Sequence, residues 1–170
     1  MAKKVDFTSE EWQQILSMPQ VAFLYLALAS PSNPVGLAQE MIASTKGMVE
    51  ALKSSSGNEL IDAVSTDIRE KAEKRERLEP PVKTSKDPNE LKAQCLQICR
   101  DVAALLSQKA PADAQAYKQW VYQAAQNIAM AAKEGGVFGI GGERVSEAET
   151  AALKEIATAL DINVSSLSGA

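Results

Sequence analysis

Helix start and stop signals recur along this chain and divide it into segments of helical periodicity. Thr8 and Glu11 have the spacing of a capping box, and Asn33-Pro34 and Asp87-Pro88 each place a capping side chain before a proline at the first helical position. Between these signals, apolar residues recur at steps of three and four, which is the period of one buried helix face. The sequence therefore predicts an all-α protein.

The signals predict about seven helices, packed as a compact bundle in a single domain. The expected segments are 8–18, 20–29, 34–53, 58–79, one from residue 88, one over 111–133 and a last one from residue 146. We expect Pro19 to separate the first two helices, because a proline inside a helix removes a hydrogen bond. Residues 20–29 are apolar nearly all round, which places them at the centre of the core. Segment 80–87 contains a proline pair and is a candidate hinge between halves at 8–79 and 88–164.

Composition and charge argue against several classes of function. Hydrophobic residues make up 45% of the chain and charged residues 24%, a mixture typical of globular proteins. Asp and Glu number 22 against 18 Lys and Arg, and the net charge of -4 has the wrong sign for a protein that binds nucleic acid. The chain has no histidine, the commonest general base and metal ligand. We therefore expect no nucleic-acid partner and no cofactor, and we favour a protein that is not an enzyme.

The two cysteines are interpreted as core residues. Cys95 and Cys99 lie four residues apart in a helical segment, so both fall on one helix face. A tetrahedral metal site needs two further ligands, and cysteine is among the most often buried residues. Free thiols favour a cytoplasmic protein. The apolar run 21–29 is too short for a transmembrane helix.

A glycine-rich segment at 135–144 is the most unusual stretch of the chain. Its residues are Gly135, Gly136, Val137, Phe138, Gly139, Ile140, Gly141, Gly142, Glu143 and Arg144. Neither glycine-rich phosphate-binding motif is present, and nearby glutamates disfavour an anion here. One interpretation is a packed turn, with Phe138 and Ile140 in the bundle. The other is a partner-binding loop, with Val137 and Phe138 as its anchors.

The chain after this loop forms a capped amphipathic segment. Ser146 and Glu149 have capping-box spacing, and Leu153, Ile156 and Leu160 form an apolar stripe. The stretch from Gly136 to Ile162 resembles the closing segment of tellurite-resistance TerB-like proteins.

The resemblance implies a bacterial, cytoplasmic, all-helical protein of a stress-associated family. In that family, acidic residues near helix-connecting turns are linked to metal binding. Where the family often has an Asp-Gly turn, this chain has Gly-Gly-Glu-Arg at 141–144. The family's metal site is therefore not expected here.

Three hypotheses about function follow from these observations. The first is a protein-interaction or scaffolding module that contacts another protein or a second copy of itself through the glycine-rich loop. The second is a small-molecule or lipid binding protein, with a cavity between helices lined by Met18, Met41, Met48 and Met130. The third is a carboxylate-based, metal-dependent enzyme.

Overall fold

The computed structural model describes residues 2–29, 57–76, 78, 81–134 and 147–163. A short 3-10 helix, Lys4–Asp6, precedes the α-helices. The α-helices are α1 (Ser9–Ala29), α2 (Glu59–Glu73), α3 (Pro88–Lys109), α4 (Pro111–Glu134) and α5 (Glu147–Ala159). These segments contain no strand, and the all-α prediction is confirmed.

The predicted number of helices is not matched, because the described residues form five α-helices rather than seven. The segments expected at 8–18 and 20–29 are one helix, α1. The segment expected at 34–53 lies outside the described residues, as does Ser146, the predicted cap of the last helix. Residues 81–87 are non-helical, and their role as a hinge stays a prediction.

Helix α1 is the central element of the bundle. It contacts each of the other four helices, and every residue from Ile15 to Leu28 is buried. Buried side chains from all five helices join it in one hydrophobic cluster. The apolar run near residues 20–29 therefore lies in the core, as its composition predicts. Within the described residues, no helix has the length and apolar content needed to cross a membrane.

The predicted break at Pro19 was wrong, because a hydrogen bond from another helix replaces the one that proline removes. Pro19 has no N–H, so the carbonyl oxygen of Ile15, four residues earlier, loses its usual helical donor. The hydroxyl of Tyr117 on α4 donates to that oxygen at 2.6 Å. Tyr117 is fully buried. The helix continues through Pro19 with its orphaned carbonyl satisfied.

Helix α2 begins where predicted and ends earlier than predicted. The side chain of Asn58 accepts hydrogen bonds from the backbone N–H groups of Leu60 and Ile61, which caps the first turn. The helix ends at Glu73, not near residue 79, because Arg75 adopts the left-handed conformation with φ 56°. The N–H groups after the turn bond to carbonyls of the last turn in the pattern of a Schellman motif.

Helices α3 and α4 begin at the predicted positions. The Asp87 side chain accepts from the N–H of Asn89, and Pro88 occupies the first helical position. Ala110 alone separates α3 from α4, which begins at Pro111. The local signals for these starts are sufficient because each acts within one helical turn.

Buried Asp113 ties the beginning of the chain to α2 and α4. Its carboxylate accepts from the backbone N–H of Ala2 at 2.6 Å and from the side-chain amide of Asn58 at 2.8 Å. Asn58 also caps α2, so one carboxylate fixes the starts of two helices. Because both oxygens of the Asp113 side chain accept hydrogen bonds from the protein, we interpret this residue as structural.

Asp67 joins α2 to the N-terminal segment. One oxygen of its carboxylate accepts from the Lys4 ammonium at 2.6 Å and from the Trp12 indole N–H at 2.8 Å. The Lys4 ammonium also lies 5.7 Å from the centroid of the Trp12 ring. Burial acts to raise the pKa of Asp67, but the hydrogen bonds from Lys4 and Trp12, together with the positive charges of Lys4 and Lys71, outweigh it and lower the pKa.

Candidate functional site

The loop predicted to bind a partner, residues 135–144, lies outside the described residues. Its role in contacting another protein or a second copy stays a prediction. Helix α5 begins after it, at Glu147.

The cysteines occupy the core, as predicted. Both are free thiols with no exposed surface. Burial raises the pKa of Cys95 and of Cys99 to about 12, so both stay protonated at neutral pH. A protonated, inaccessible thiol is a poor nucleophile and a poor metal ligand. In the described ranges, no three acidic, cysteine or histidine side chains cluster as a metal site would require.

The methionine-lined cavity stays a prediction, because Met18 alone of its four residues has a side chain that the structure describes. This side chain is fully buried and packs within the hydrophobic cluster. Met41, Met48 and the side chain of Met130 lie outside the described residues. The described cavities lie elsewhere, at the surface of the bundle.

A groove of about 290 Å³ lies where α3, α4 and the end of α5 meet, and we call it the α3–α5 groove. Among the described residues that line it, two are basic, one is acidic, two carry hydroxyl groups, and three are alanines. They are Arg100, Ala103, Ala104 and Ser107 from α3, Lys118 from α4, and Thr158, Ala159 and Asp161 at the end of α5.

Lys118 is the most unusual residue of the groove, because its side chain is only 4% exposed. Its ammonium donates to the Ser107 hydroxyl over a long 3.4 Å, and the Asp161 carboxylate lies 4.0 Å away. The Ser107 hydroxyl itself donates to the Ala103 carbonyl at 2.8 Å. An ammonium has three N–H donors, and burial makes each unmet donor costly. Lys118 is therefore a buried cation with too few acceptors from the described protein.

Arg100 supplies a second positive charge on the α3 wall. Its Nε and Nη2 donate to the side-chain oxygen of Gln97, one turn earlier, at 3.3 and 3.0 Å. This contact fixes the guanidinium while leaving further N–H donors for another acceptor. Planar guanidinium groups suit carboxylate and phosphate ligands.

Asp161 stands at the lip of the groove, and the backbone holds it there. Its N–H donates to the Thr158 carbonyl at 3.1 Å, and the N–H of Ile162 donates to the Ala157 carbonyl at 2.9 Å. This is a Schellman motif with Asp161 in the left-handed conformation, φ 55°. The Asp161 side chain is 94% exposed. Water screens its carboxylate, so its attraction to Lys118 is weak.

A second groove, of about 440 Å³, offers less specific chemistry. It is lined by Ser9, Glu10, Gln13, Gln14 and Pro81. The four polar residues are exposed and belong to the first turns of α1. None of the described residues that line this groove is a buried charged residue, and the exposed polar groups are in contact with water.

Tyr25 and Glu155 form a contact between α1 and α5. The Tyr25 hydroxyl donates to the Glu155 carboxylate. Burial, followed by this hydrogen bond and the charge of Glu155, raises the pKa of Tyr25 well above its ordinary value. The tyrosine therefore stays protonated and serves as a link between helices.

No family model, curated protein or solved structure matches this chain in our comparisons. The TerB-like resemblance of the C-terminal segment accordingly stays a hypothesis.

Sequence reasoning missed the groove, although one signal for it was present. Lys118 lies on the face of α4 that also carries Ala114, Val121 and Ala125, all of them buried. Those residues stand four before, three after and seven after the lysine, which is the spacing of a buried helix face. A lysine at such a position is unusual, because lysine is almost never fully buried unless its charge is paired. The contribution of Asp161 has no comparable signal in the sequence.

Proposed function

We propose that this protein binds a small anionic molecule and that the α3–α5 groove is its binding site. The observation that carries the proposal is the buried Lys118 ammonium with one long hydrogen bond and one distant, exposed carboxylate. An anion entering the groove would supply both the charge and the acceptor oxygens that the ammonium lacks. This proposal develops the small-molecule hypothesis and sets its lipid version aside.

The remaining lining residues support a small, polar ligand. Arg100 adds a second cation, and the hydroxyl groups of Ser107 and Thr158 add hydrogen-bonding capacity. Three alanines leave space because their side chains are short. The volume, about 290 Å³, lies at the lower end of ligand sites. A compact carboxylate or phosphate fits these dimensions better than an acyl chain.

The free thiols support placing this activity in a reducing compartment, such as the cytoplasm. Both cysteines are buried and unpaired with each other. Proteins of oxidising compartments more often use their cysteines as disulfides. A reducing compartment is therefore part of what we propose for this protein.

The proposal is tested by titrating the protein with inorganic phosphate at constant ionic strength and following backbone amide resonances by NMR. We expect saturable shifts that cluster around the groove. Because the chain carries a net charge of -4, general attraction does not favour anions, and a saturable response reports a local site.

Two variants make the titration decisive. Lys118→Met removes the ammonium while keeping a long side chain, and we expect at least a roughly tenfold loss of affinity, as for a desolvated charged contact. Lys92→Met makes the same change on α3 at a residue that does not line the groove, and it should bind as the parent does. The proposal fails if the parent shows no saturable response or if Lys118→Met binds equally well.

A further inference from the structure

The charges of the α3–α5 groove differ between its floor and its lip. Lys118, only 4% exposed, gives the floor a positive charge, whereas the 94% exposed Asp161 places a carboxylate at the lip. The Lys118 Nζ and the Asp161 Oδ2 lie 4.0 Å apart. A ligand with complementary charges would place an anionic group at the floor of the groove, near Lys118, and a cationic group at the lip, near Asp161.

Asp161 is held in this position by the fold. The Schellman motif at the end of α5 fixes its backbone, and Ile162, the next residue, is buried in the hydrophobic cluster. Helices commonly use glycine at this left-handed position, because a β-carbon there lies close to the following carbonyl oxygen, and asparagine and aspartate are the other residues that adopt it. The chain carries aspartate at this point instead. The fold therefore holds the backbone of this aspartate beside the groove, with its carboxylate 4.0 Å from the Lys118 ammonium.

A plain anion and a zwitterion would meet Asp161 differently. An anion that bonds to Lys118 brings a negative charge next to the carboxylate, and the two repel. A ligand whose anionic group is close to an ammonium group places that ammonium against Asp161. The repulsion is then replaced by attraction.

We infer that the groove selects small zwitterions that carry an ammonium group beside a carboxylate or phosphate group. The inference rests on the proposed function, since it assumes an anion at Lys118. In this arrangement, Lys118 and Arg100 bind the anionic group of the ligand. Asp161 determines specificity by binding the ammonium group of the ligand.

The test compares ligands that differ by replacement of the ammonium with a methyl group. Glycine is compared with propionate, and phosphoethanolamine with propyl phosphate, by the NMR titration described above. We expect the parent protein to bind the ammonium-bearing member of at least one pair about fivefold more tightly, the factor for one charge pair about 4 Å apart in water. The pair that shows the larger preference identifies the anionic group.

Asp161→Asn and a control variant separate specificity from general charge. Asparagine keeps the size and tolerates the left-handed conformation, so the fold should persist. We expect this variant to lose the preference for the ammonium-bearing ligand. Asp62→Asn makes the same change in net charge on α2, outside the groove lining, and should keep the preference.

The outcomes distinguish this inference from the proposed function. Equal binding of both members of each pair to the parent protein overturns the inference and leaves the anion site standing. The inference also fails if Asp161→Asn changes the affinity for all four ligands by the same factor, because Asp161 is then only a general competitor. If none of the four ligands binds saturably, the proposed function and the inference both fail.

Discussion

Replacing Tyr117 by Phe isolates the hydrogen bond that allows α1 to continue through Pro19. The change removes one oxygen atom and leaves the ring in place. The Ile15 carbonyl, which the Tyr117 hydroxyl contacts at 2.6 Å, is then left without this donor in a buried environment. A buried polar group that loses its partner costs about 1 to 3 kcal/mol. We expect the free energy of unfolding to fall by that amount.

In the Pro19→Ala background, we expect the same substitution of Tyr117 to cost less. Alanine restores the N–H that bonds to the Ile15 carbonyl within the helix. Removing the Tyr117 hydroxyl should then cost less than about 1 kcal/mol, because the carbonyl keeps a donor. The difference between the two backgrounds is the coupling free energy of a double-mutant cycle, and we expect it to be positive and no larger than about 3 kcal/mol.

Chemical denaturation of the four proteins, followed by far-UV circular dichroism, measures this cycle. Tyr122→Phe is the control, because Tyr122 is on the same helix and its hydroxyl makes no hydrogen bond within the described residues. It should change stability by less than the Tyr117 substitution does. Equal costs for Tyr117→Phe in the parent protein and in the Pro19→Ala variant would refute the idea that the hydroxyl replaces a helical hydrogen bond.

Three further predictions concern the charged and thiol groups. Lys118→Met should leave the free energy of unfolding of the ligand-free protein unchanged or raise it by up to about 3 kcal/mol, the cost of a buried polar group without sufficient partners. A clear loss of stability in denaturation experiments would show that the lysine is well satisfied. The pKa of Asp67 is lowered in the folded protein relative to the unfolded chain. Its ionised side chain therefore stabilises the fold above the unfolded pKa, and this stabilisation is lost as the pH falls through the folded pKa. In Asp67→Asn, the free energy of unfolding should therefore fall less on acidification below about pH 4. The difference from the parent protein should be under about 1 kcal/mol, because the group is partly exposed. An unchanged pH profile would count against this prediction. Cys95 and Cys99, whose pKa values burial raises to about 12, should react with alkylating reagents only after unfolding, and rapid labelling of the native protein at neutral pH would contradict their burial.

Local signals predicted much of the fold because their physical effects act within one turn of chain. Asn58, Asp87, Pro88 and Pro111 mark helix starts in the sequence and in the structure. Each cap satisfies N–H groups two or three residues ahead, so no distant contact is needed to form it. The periodic apolar faces likewise identify buried helix surfaces without knowledge of their partners.

Other features depend on contacts that the local sequence does not contain. Pro19 looks like a helix end until Tyr117, from another helix, supplies the missing hydrogen bond. Arg75 and Asp161 adopt a left-handed conformation that is usually marked by glycine, so these helix ends have no sequence signature. The α3–α5 groove requires three helices to meet, and only the lysine on an apolar face indicated it. Tertiary hydrogen bonds and packing between helices determine these features of the fold.

The most direct test of anion binding is NMR of the lysine side-chain ammonium groups during a phosphate titration. The Lys118 ammonium is buried, so its protons should exchange slowly enough with water to be observed. We expect its nitrogen resonance to shift saturably with phosphate, with the same affinity as the backbone amide resonances report. A Lys118 resonance that stays unchanged while exposed lysines respond in proportion to phosphate concentration would contradict an anion site in the α3–α5 groove.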